Sequence, residues 1–291
     1  MKNQLKVENI SFNYLNKKIL LDINFEYEDR GVIGLLGPNG SGKTTLMRIL
    51  VGLKTPKTGQ VLLNNKSILD NRKELVNMVG YLPQNFEIYN YISGLDFLSY
   101  ACDVKGLNNK EKKEQIDYLV EKFNLSSVIK KRFGSYSGGY KRRLGIAQAM
   151  IGNPQFIIID EPTVGLDPEQ RFEFRQYLAG IGKESIILIS THIVEDISFY
   201  CDKIIILNQG KITFDGYRDD LIEIVDGKIY EGIINIEEYD KVKENFRIIE
   251  QSGSERGKVK LRVICEDNNI SDRFTKVKPS LENAYVYFQA R

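Results

Sequence analysis

Apolar and polar residues take turns from about residue 5 to residue 27, the period of a strand that buries one face. This stretch predicts an antiparallel β-layer. Further along, the alternation gives way to short apolar runs at residues 32–36, 79–82, 156–159, 186–190 and 204–207, each of strand length. The first, fourth and fifth read as buried on both faces, as the strands of a parallel sheet are. Helical stretches separate these runs, so the pattern predicts a mainly parallel α/β core beside the antiparallel layer. Asn208-Gln209-Gly210 predicts a tight hairpin into a strand at 211–214.

Between Gln84 and Ser137 the strand pattern stops. Residues 95–104 and 110–123 read as two helices parted by Gly106, the second carrying Ile116, Leu119, Val120 and Phe123 at helical spacing. A helical insert over about residues 86–150 is therefore expected within the α/β domain. After about residue 220 the character changes again. Strands are expected at 228–236 and 258–265 around a polar loop at 251–257, with a last helix after Pro279. The expected organisation is one domain over residues 1–220 and a small α+β accessory domain over 221–291.

Composition adds exclusions. Apolar residues at 42% and charged residues at 27% are ordinary for a globular protein with a core. A formal net charge of +2 gives no reason to expect nucleic acid or an anionic membrane surface as partner. The mixed run at residues 110–114 reads as a solvated helix face. The three cysteines, Cys102, Cys201 and Cys265, are scattered and form no CxxC pair, which argues against a disulfide framework or zinc site and suits a reducing cytosol. The N-terminal stretch has no secretory-signal pattern, and no run approaches the roughly 18 apolar residues that cross a bilayer. If the protein serves a membrane, another polypeptide is expected to do the crossing.

The chemistry begins at Gly37-Pro38-Asn39-Gly40-Ser41-Gly42-Lys43-Thr44, which fills GxxxxGK[ST] at every position, directly after a buried run and before a helical one. Glycines 37, 40 and 42 let consecutive backbone N–H groups curl around phosphate oxygens, and the helix N-terminus adds a favourable dipole. Lys43 is placed to reach the β- and γ-phosphates and Thr44 to ligate Mg²⁺. A ligand-free Gly-rich turn is the alternative, and the complete pattern with its flanks speaks against it. No NKxD-type strand end argues for guanine.

The run at 156–159 ends in Asp160-Glu161. Asp160 is placed to hold Mg²⁺, directly or through water. Glu161, one residue on and facing elsewhere, is placed to orient and deprotonate an attacking water. Two solvated loop acids are the bland alternative. Asp167 before Pro168, with Gln170 three residues after the Asp, reads as a helix N-cap. The lone histidine, His192, follows the run at 186–190 and its Thr191, at a strand's carboxyl end where α/β proteins place ligand contacts.

At Ser137-Gly138-Gly139 the chain carries residues that most P-loop enzymes lack, and with the preceding motifs it resembles the nucleotide-binding subunit of ABC transporters over about residues 5–220. The resemblance implies an ABC ATPase fold that binds ATP and Mg²⁺. It implies that Tyr14 stacks on adenine, with Phe12 the competing candidate, and that Thr45 extends the phosphate cradle. Gln84 touches Mg²⁺ or the attacking water, and His192 contacts the γ-phosphate. Ser137, Gly138 and Gly139 are implied to cap ATP held by a second nucleotide-binding subunit, expected to be an identical copy, and Asp167 of the D-loop at 164–167 is implied to belong to the nucleotide site. Transmembrane permease subunits on separate chains are the further implied partners, which places the protein at the cytoplasmic face of the cell membrane. The usual LSGGQ reads Tyr136-Ser137-Gly138-Gly139-Tyr140 here, so a ribose contact assigned to the usual glutamine is in doubt. Tyr81-Leu82-Pro83-Gln84, YSGGYKRRLGIAQA at 136–149 and residues 190–196 are similar to ATP-binding subunits of ABC-2-type exporters, including the bacitracin- and lantibiotic-resistance group. A soluble ABC ATPase, for example in cluster assembly or a regulatory complex, is the competing expectation.

Overall fold

A computed structural model describes residues 3–70, 72–253, 257–267 and 269–289. The chain divides into two compact units, Met1–Ile212 and Thr213–Arg291, the division falling inside one strand.

The first unit begins with strands β1 (Gln4–Tyr14) and β2 (Lys17–Glu28), followed by β3 (Gly31–Leu36) and helix α1 (Lys43–Leu50). Strands β4 (Thr58–Leu63) and β5 (Lys66–Ser67), helix α2 (Arg72–Met78) and strand β6 (Val79–Leu82) come next. The helical stretch holds α3 (Gly94–Val104), α4 (Asn109–Lys122) and α5 (Gly138–Ala149). Then follow β7 (Phe156–Asp160), α6 (Pro168–Gly182), β8 (Ile186–Thr191), α7 (Val194–Tyr200), β9 (Lys203–Asn208) and β10 (Lys211–Tyr217).

Two sheets result. The antiparallel one has the order β2-β1-β4-β5, and it extends the layer expected over residues 5–27 with strands that the sequence pattern did not predict. The other has the order β10-β9-β3-β8-β7-β6, with parallel pairing of β9 on β3, β3 on β8, β8 on β7 and β7 on β6. Every residue of β3, β7 and β8 is buried, which explains why their sequences are continuous apolar runs instead of alternating ones. A core of Ile33, Leu35, Leu46, Met47, Phe156, Ile158, Leu188 and Ile205 joins the two sheets through α1.

The order β3-β8-β7-β6 places four parallel strands side by side with their carboxyl ends at one edge, where such sheets bind ligands. The residues just past those ends are Gly37, His192, Glu161 and Gln84 in turn.

Helix boundaries carry one informative difference. The sequence places the start of α5 at about residue 141, after the glycine pair. The helix begins at Gly138, because Ser137 supplies an N-cap whose Oγ accepts from the Tyr140 N–H at 3.4 Å. Glycine is tolerated there because the first-turn amides have no intrahelical partner to lose.

The second unit holds α8 (Arg218–Val225), β11 (Ile229–Asn235), α9 (Tyr239–Asn245), β12 (Arg247–Gly253), β13 (Lys258–Ile264), β14 (Phe274–Lys276) and α10 (Leu281–Gln289). Its sheet, β12-β13-β11-β14, is antiparallel and buries Tyr230, Ile234, Leu261, Val263, Cys265 and Phe274. Of the loop expected at 251–257, residues 251–253 belong to β12, and 254–256 lie outside the described residues. On this sheet Glu231 bonds Lys260 and Arg262, each at 2.7 Å, and Arg262 also reaches Glu250 at 2.8 Å.

Candidate active site

The phosphate loop spans the turn from β3 into α1. Gly40 and Gly42 adopt φ of 81° and 112°, backbone that side-chain-bearing residues rarely take. Gly37 is needed for a different reason, since a Cβ there would lie 2.2 Å from the Leu207 carbonyl oxygen on β9. Lys43 is 6% exposed, with its Nζ donating to the Gly37 and Pro38 carbonyls at 2.7 and 3.1 Å. Burial lowers its pKa, while the charges of Glu161 and Asp160 raise it. The Ser41 hydroxyl is buried in the same turn and has no hydrogen-bond partner among the described residues, as suits a cradle whose polar atoms face a ligand. Tyr14 packs edge-to-face on Phe12 at 4.9 Å, and the Lys54 ammonium lies 4.6 Å from its ring centre. Lys54 lowers the Tyr14 pKa, with smaller lowering contributions from Thr45 and Arg48 of α1 beside it.

Asp160 ends β7 and Glu161 follows it, next to β8 in register: Asp160 pairs with Ser190. The Ser190 hydroxyl donates to Asp160 Oδ1 at 2.5 Å and accepts from the Glu161 N–H at 3.0 Å, so one side chain steadies both acids. Asp160 is 2% exposed; burial raises its pKa, helped by the Glu161 charge, while Ser190, Lys43 and Thr44 lower it. Glu161 has φ of 44°, a left-handed conformation for a residue with a side chain, and such strain concentrates at functional sites. That turn brings Glu161 Oε2 to 3.3 Å from Gln84 Nε2 and 3.4 Å from His192 Nδ1. Three side chains chosen from the sequence thus meet at one carboxylate, from the ends of β6, β7 and β8.

Ser137 caps the start of α5, and the glycine pair follows it in the first turn. A Cβ on Gly139 would lie 3.2 Å from the Gln170 amide carbon, whereas one on Gly138 would meet nothing within 4 Å. Tyr136, in place of the usual leucine, is buried and donates from its hydroxyl to the Val128 carbonyl at 2.8 Å. Tyr140 lies against the Arg143 guanidinium at 5.1 Å. Asp167 caps α6, its Oδ1 accepting from the Gln170 N–H at 2.8 Å.

Several structural participants escaped the sequence reading. Ser190 is one; sheet adjacency, which the sequence does not state, is what puts it beside Asp160. Arg142 on α5 is another, donating to the carbonyls of Gln84, Glu161 and Pro162 at 3.0, 2.8 and 2.9 Å. A third group centres on Asp196, which is fully buried on α7. It accepts from Thr163 Oγ1 at 2.5 Å and from Arg175 Nε and Nη2 at 3.0 and 2.5 Å, tying the loop after Glu161 to the helix after His192. Asp196→Ala leaves the Arg175 cation without its partner, and urea unfolding should show a loss of about 3–5 kcal/mol.

The donor set suits Mg²⁺. Among the described residues no cluster of three or more His, Cys, Asp or Glu side chains forms a metal cage. The Asp160 carboxylate with the neighbouring Thr44 hydroxyl is the sparse oxygen set that Mg²⁺ uses when phosphate and water complete its shell.

A family model described as ABC transporter matches residues 20–164. Among curated proteins, the uncharacterized ABC transporter ATP-binding protein YxlF of Bacillus subtilis is 36% identical over 217 residues, 75% of this chain and 72% of that one. The linearmycin resistance ATP-binding protein LnrL of the same species is 31% identical, covering 77% of this chain and 72% of its own length. Among solved structures, cbiO1 from Clostridium perfringens, described as part of the ABC transporter complex cbiONQ, superposes with a TM-score of 0.68 at 29% identity, covering 75% of this chain and 90% of that one. With the phosphate loop, the paired acids and the Ser-Gly-Gly helix start in this arrangement, the chain belongs to the ATP-binding subunits of ABC transporters and is an ATPase.

Proposed function

We propose that the chain powers an ABC-2-type exporter by closing with a second copy of itself around two ATP–Mg²⁺ and hydrolysing them at Glu161. The observation that carries the hydrolytic part is the Glu161 carboxylate flanked by Gln84 and His192 at 3.3 and 3.4 Å. In this reading the phosphate loop and Lys43 hold the β- and γ-phosphates, and Tyr14, once Lys54 moves aside, receives the adenine. Thr44, Asp160 and Gln84 would hold Mg²⁺, which would supply positive charge against the phosphates. Glu161 accepts a proton from water as the water oxygen bonds to the γ-phosphorus; the bond from that phosphorus to the β–γ bridging oxygen breaks, and ADP leaves with the electron pair. His192 donates to a γ-phosphate oxygen.

Gly138 supports the dimer. Its φ is not in the left-handed range and its missing Cβ faces open space, so nothing among the described residues asks for glycine there. A phosphate approaching from another copy gives the residue a purpose: the exposed amides of the α5 N-terminus, capped by Ser137, suit an anion. Asp167 stands at the start of α6, near the same face through Gln170.

Coupling to membrane chains is supported by the family membership and by a cleft of about 860 Å³ beside the Gln84 loop, lined by Tyr89, Ile92, Phe97, Tyr100, Phe133 and Lys141. Tyr89 and Tyr91 stack at 5.5 Å and stand 70% and 68% exposed. Among the described residues no helix is long and apolar enough to cross a membrane. The family membership supports permease subunits on separate chains, with this chain at the cytoplasmic face. The name of LnrL points to antimicrobial resistance as the class of task. Copurification from membranes tests the coupling. The wild-type chain is expected to bring down an integral membrane protein, and Tyr89→Ala/Tyr100→Ala to lose it. Recovery with soluble partners alone would favour the non-transport alternative.

A further inference from the structure

Arg142 sits one turn into α5, the helix whose N-terminus carries Ser137, Gly138 and Gly139. Its guanidinium reaches away from that end into the hydrolytic site of its own chain. Nε donates to the Pro162 carbonyl at 2.9 Å, Nη2 to the Glu161 carbonyl at 2.8 Å, and Nη1 to the Gln84 carbonyl at 3.0 Å. A longer contact, 3.5 Å, joins Nη1 to the Pro83 carbonyl. Burial lowers the Arg142 pKa, and the charges of Asp160 and Glu161 raise it.

The geometry is that of a clamp. The acceptors are backbone carbonyls on two separate loops, those following β6 and β7, and these loops carry Gln84 and Glu161. The planar guanidinium offers five N–H donors in a fixed fork, so one side chain fixes the spacing between the loops. The carboxylate of Glu161 is not among the acceptors, so Arg142 leaves it free to take a proton. Glu161 is also the residue held at φ 44°, and such a conformation persists only where its surroundings over-determine it. The three carbonyl bonds from Arg142, with the Ser190 bond to the Glu161 N–H, do so.

We propose that Arg142 is a positioning residue that links the signature end of α5 to Gln84 and Glu161 of the same chain, so that engagement of the partner's ATP by Ser137–Gly139 sets the geometry of the chain's own hydrolytic site. The proposal rests on the dimeric reading above. It makes each chain's two halves interdependent: a shift of α5 on the partner's nucleotide moves the two loops as a pair, and the two sites hydrolyse cooperatively.

Arg142→Ala and Arg142→Lys in the full chain test this, with ATP affinity, kcat, the Hill coefficient for ATP and the thermal midpoint measured together. Lysine keeps the charge and most of the stem but loses the fork, and it is the variant to rely on if alanine fails to fold. Both are expected to bind ATP within about threefold of wild type while kcat falls about 10- to 100-fold, the scale of an ångström-sized misplacement of catalytic groups. The Hill coefficient is expected to fall towards unity, which a merely stabilising role does not require. A wild-type kcat and Hill coefficient in Arg142→Lys overturns the proposal. So does a fall in kcat matched by an equal loss of affinity and a lowered midpoint, or a fall in kcat with unchanged cooperativity. Glu161→Gln run in parallel separates the two levels: if it abolishes turnover while Arg142→Lys does nothing, the base stands and the clamp falls.

Discussion

Glu161→Gln is expected to bind ATP like the wild type and to lose turnover by about 10²- to 10⁴-fold, the contribution of a positioned general base. The substitution keeps the size of the side chain and its contacts with Gln84 and His192, at 3.3 and 3.4 Å, can be made by an amide oxygen. What it removes is the ability to accept a proton. The loss should therefore fall on kcat, with KM little changed, and steady-state phosphate release measures it directly. Unchanged release would move the base to another group.

The second large effect is expected at Lys43. Its ammonium is 6% exposed and held by the carbonyls of its own loop, Gly37 and Pro38. Phosphate oxygens offer a charge-assisted partner that those neutral carbonyls are not. Lys43→Ala removes the cation and leaves the acids Asp160 and Glu161, both coupled to it electrostatically, facing the phosphates uncompensated. Nucleotide affinity should fall at least about 100-fold, the scale of a lost, well-desolvated charge interaction. Titration with ATP, followed by calorimetry, checks it. The fold itself should survive, because the flanking β3 and α1 are held by Ile33, Leu35, Leu46 and Met47 in the core.

Much of the first unit was legible because its physics is local or repetitive. Strands β3, β7 and β8 are buried on both faces, and two-sided burial writes itself as an unbroken apolar run. The phosphate loop announces itself through glycines at fixed offsets, and Glu161 through its place just past such a run. The meeting of Gln84, Glu161 and His192 at one carboxylate followed from all three standing at strand ends.

Other parts depend on neighbours that the sequence does not name. Arg142 acts on carbonyls 58, 19 and 20 residues away, and carbonyls carry no residue identity to be read. Asp196 reads as one more acid in a polar helix start, although the fold buries it between Thr163 and Arg175. Ser190 matters only because β8 lies beside β7 in register with Asp160. In the second unit, β12 is half-buried at best, so its apolar signal is weak, and part of it reads as polar loop. The sequence pattern starts the helix only after the glycine pair at 138–139, yet α5 starts at Gly138 on the Ser137 cap.

The dimeric site is tested most directly by the mass of Glu161→Gln in sedimentation equilibrium, with and without ATP and Mg²⁺, alone and combined with Gly138→Asp. The added aspartate occupies open space at a helix N-terminus, where a carboxylate favours the helix, so the fold should hold. It also sets a negative charge where the partner's γ-phosphate must arrive. The expected result is a dimer of Glu161→Gln in ATP–Mg²⁺, a monomer without nucleotide, and a monomer in both conditions once Gly138→Asp is added. A monomer in ATP, or a dimer that ignores Gly138→Asp, would contradict a site completed by a second copy.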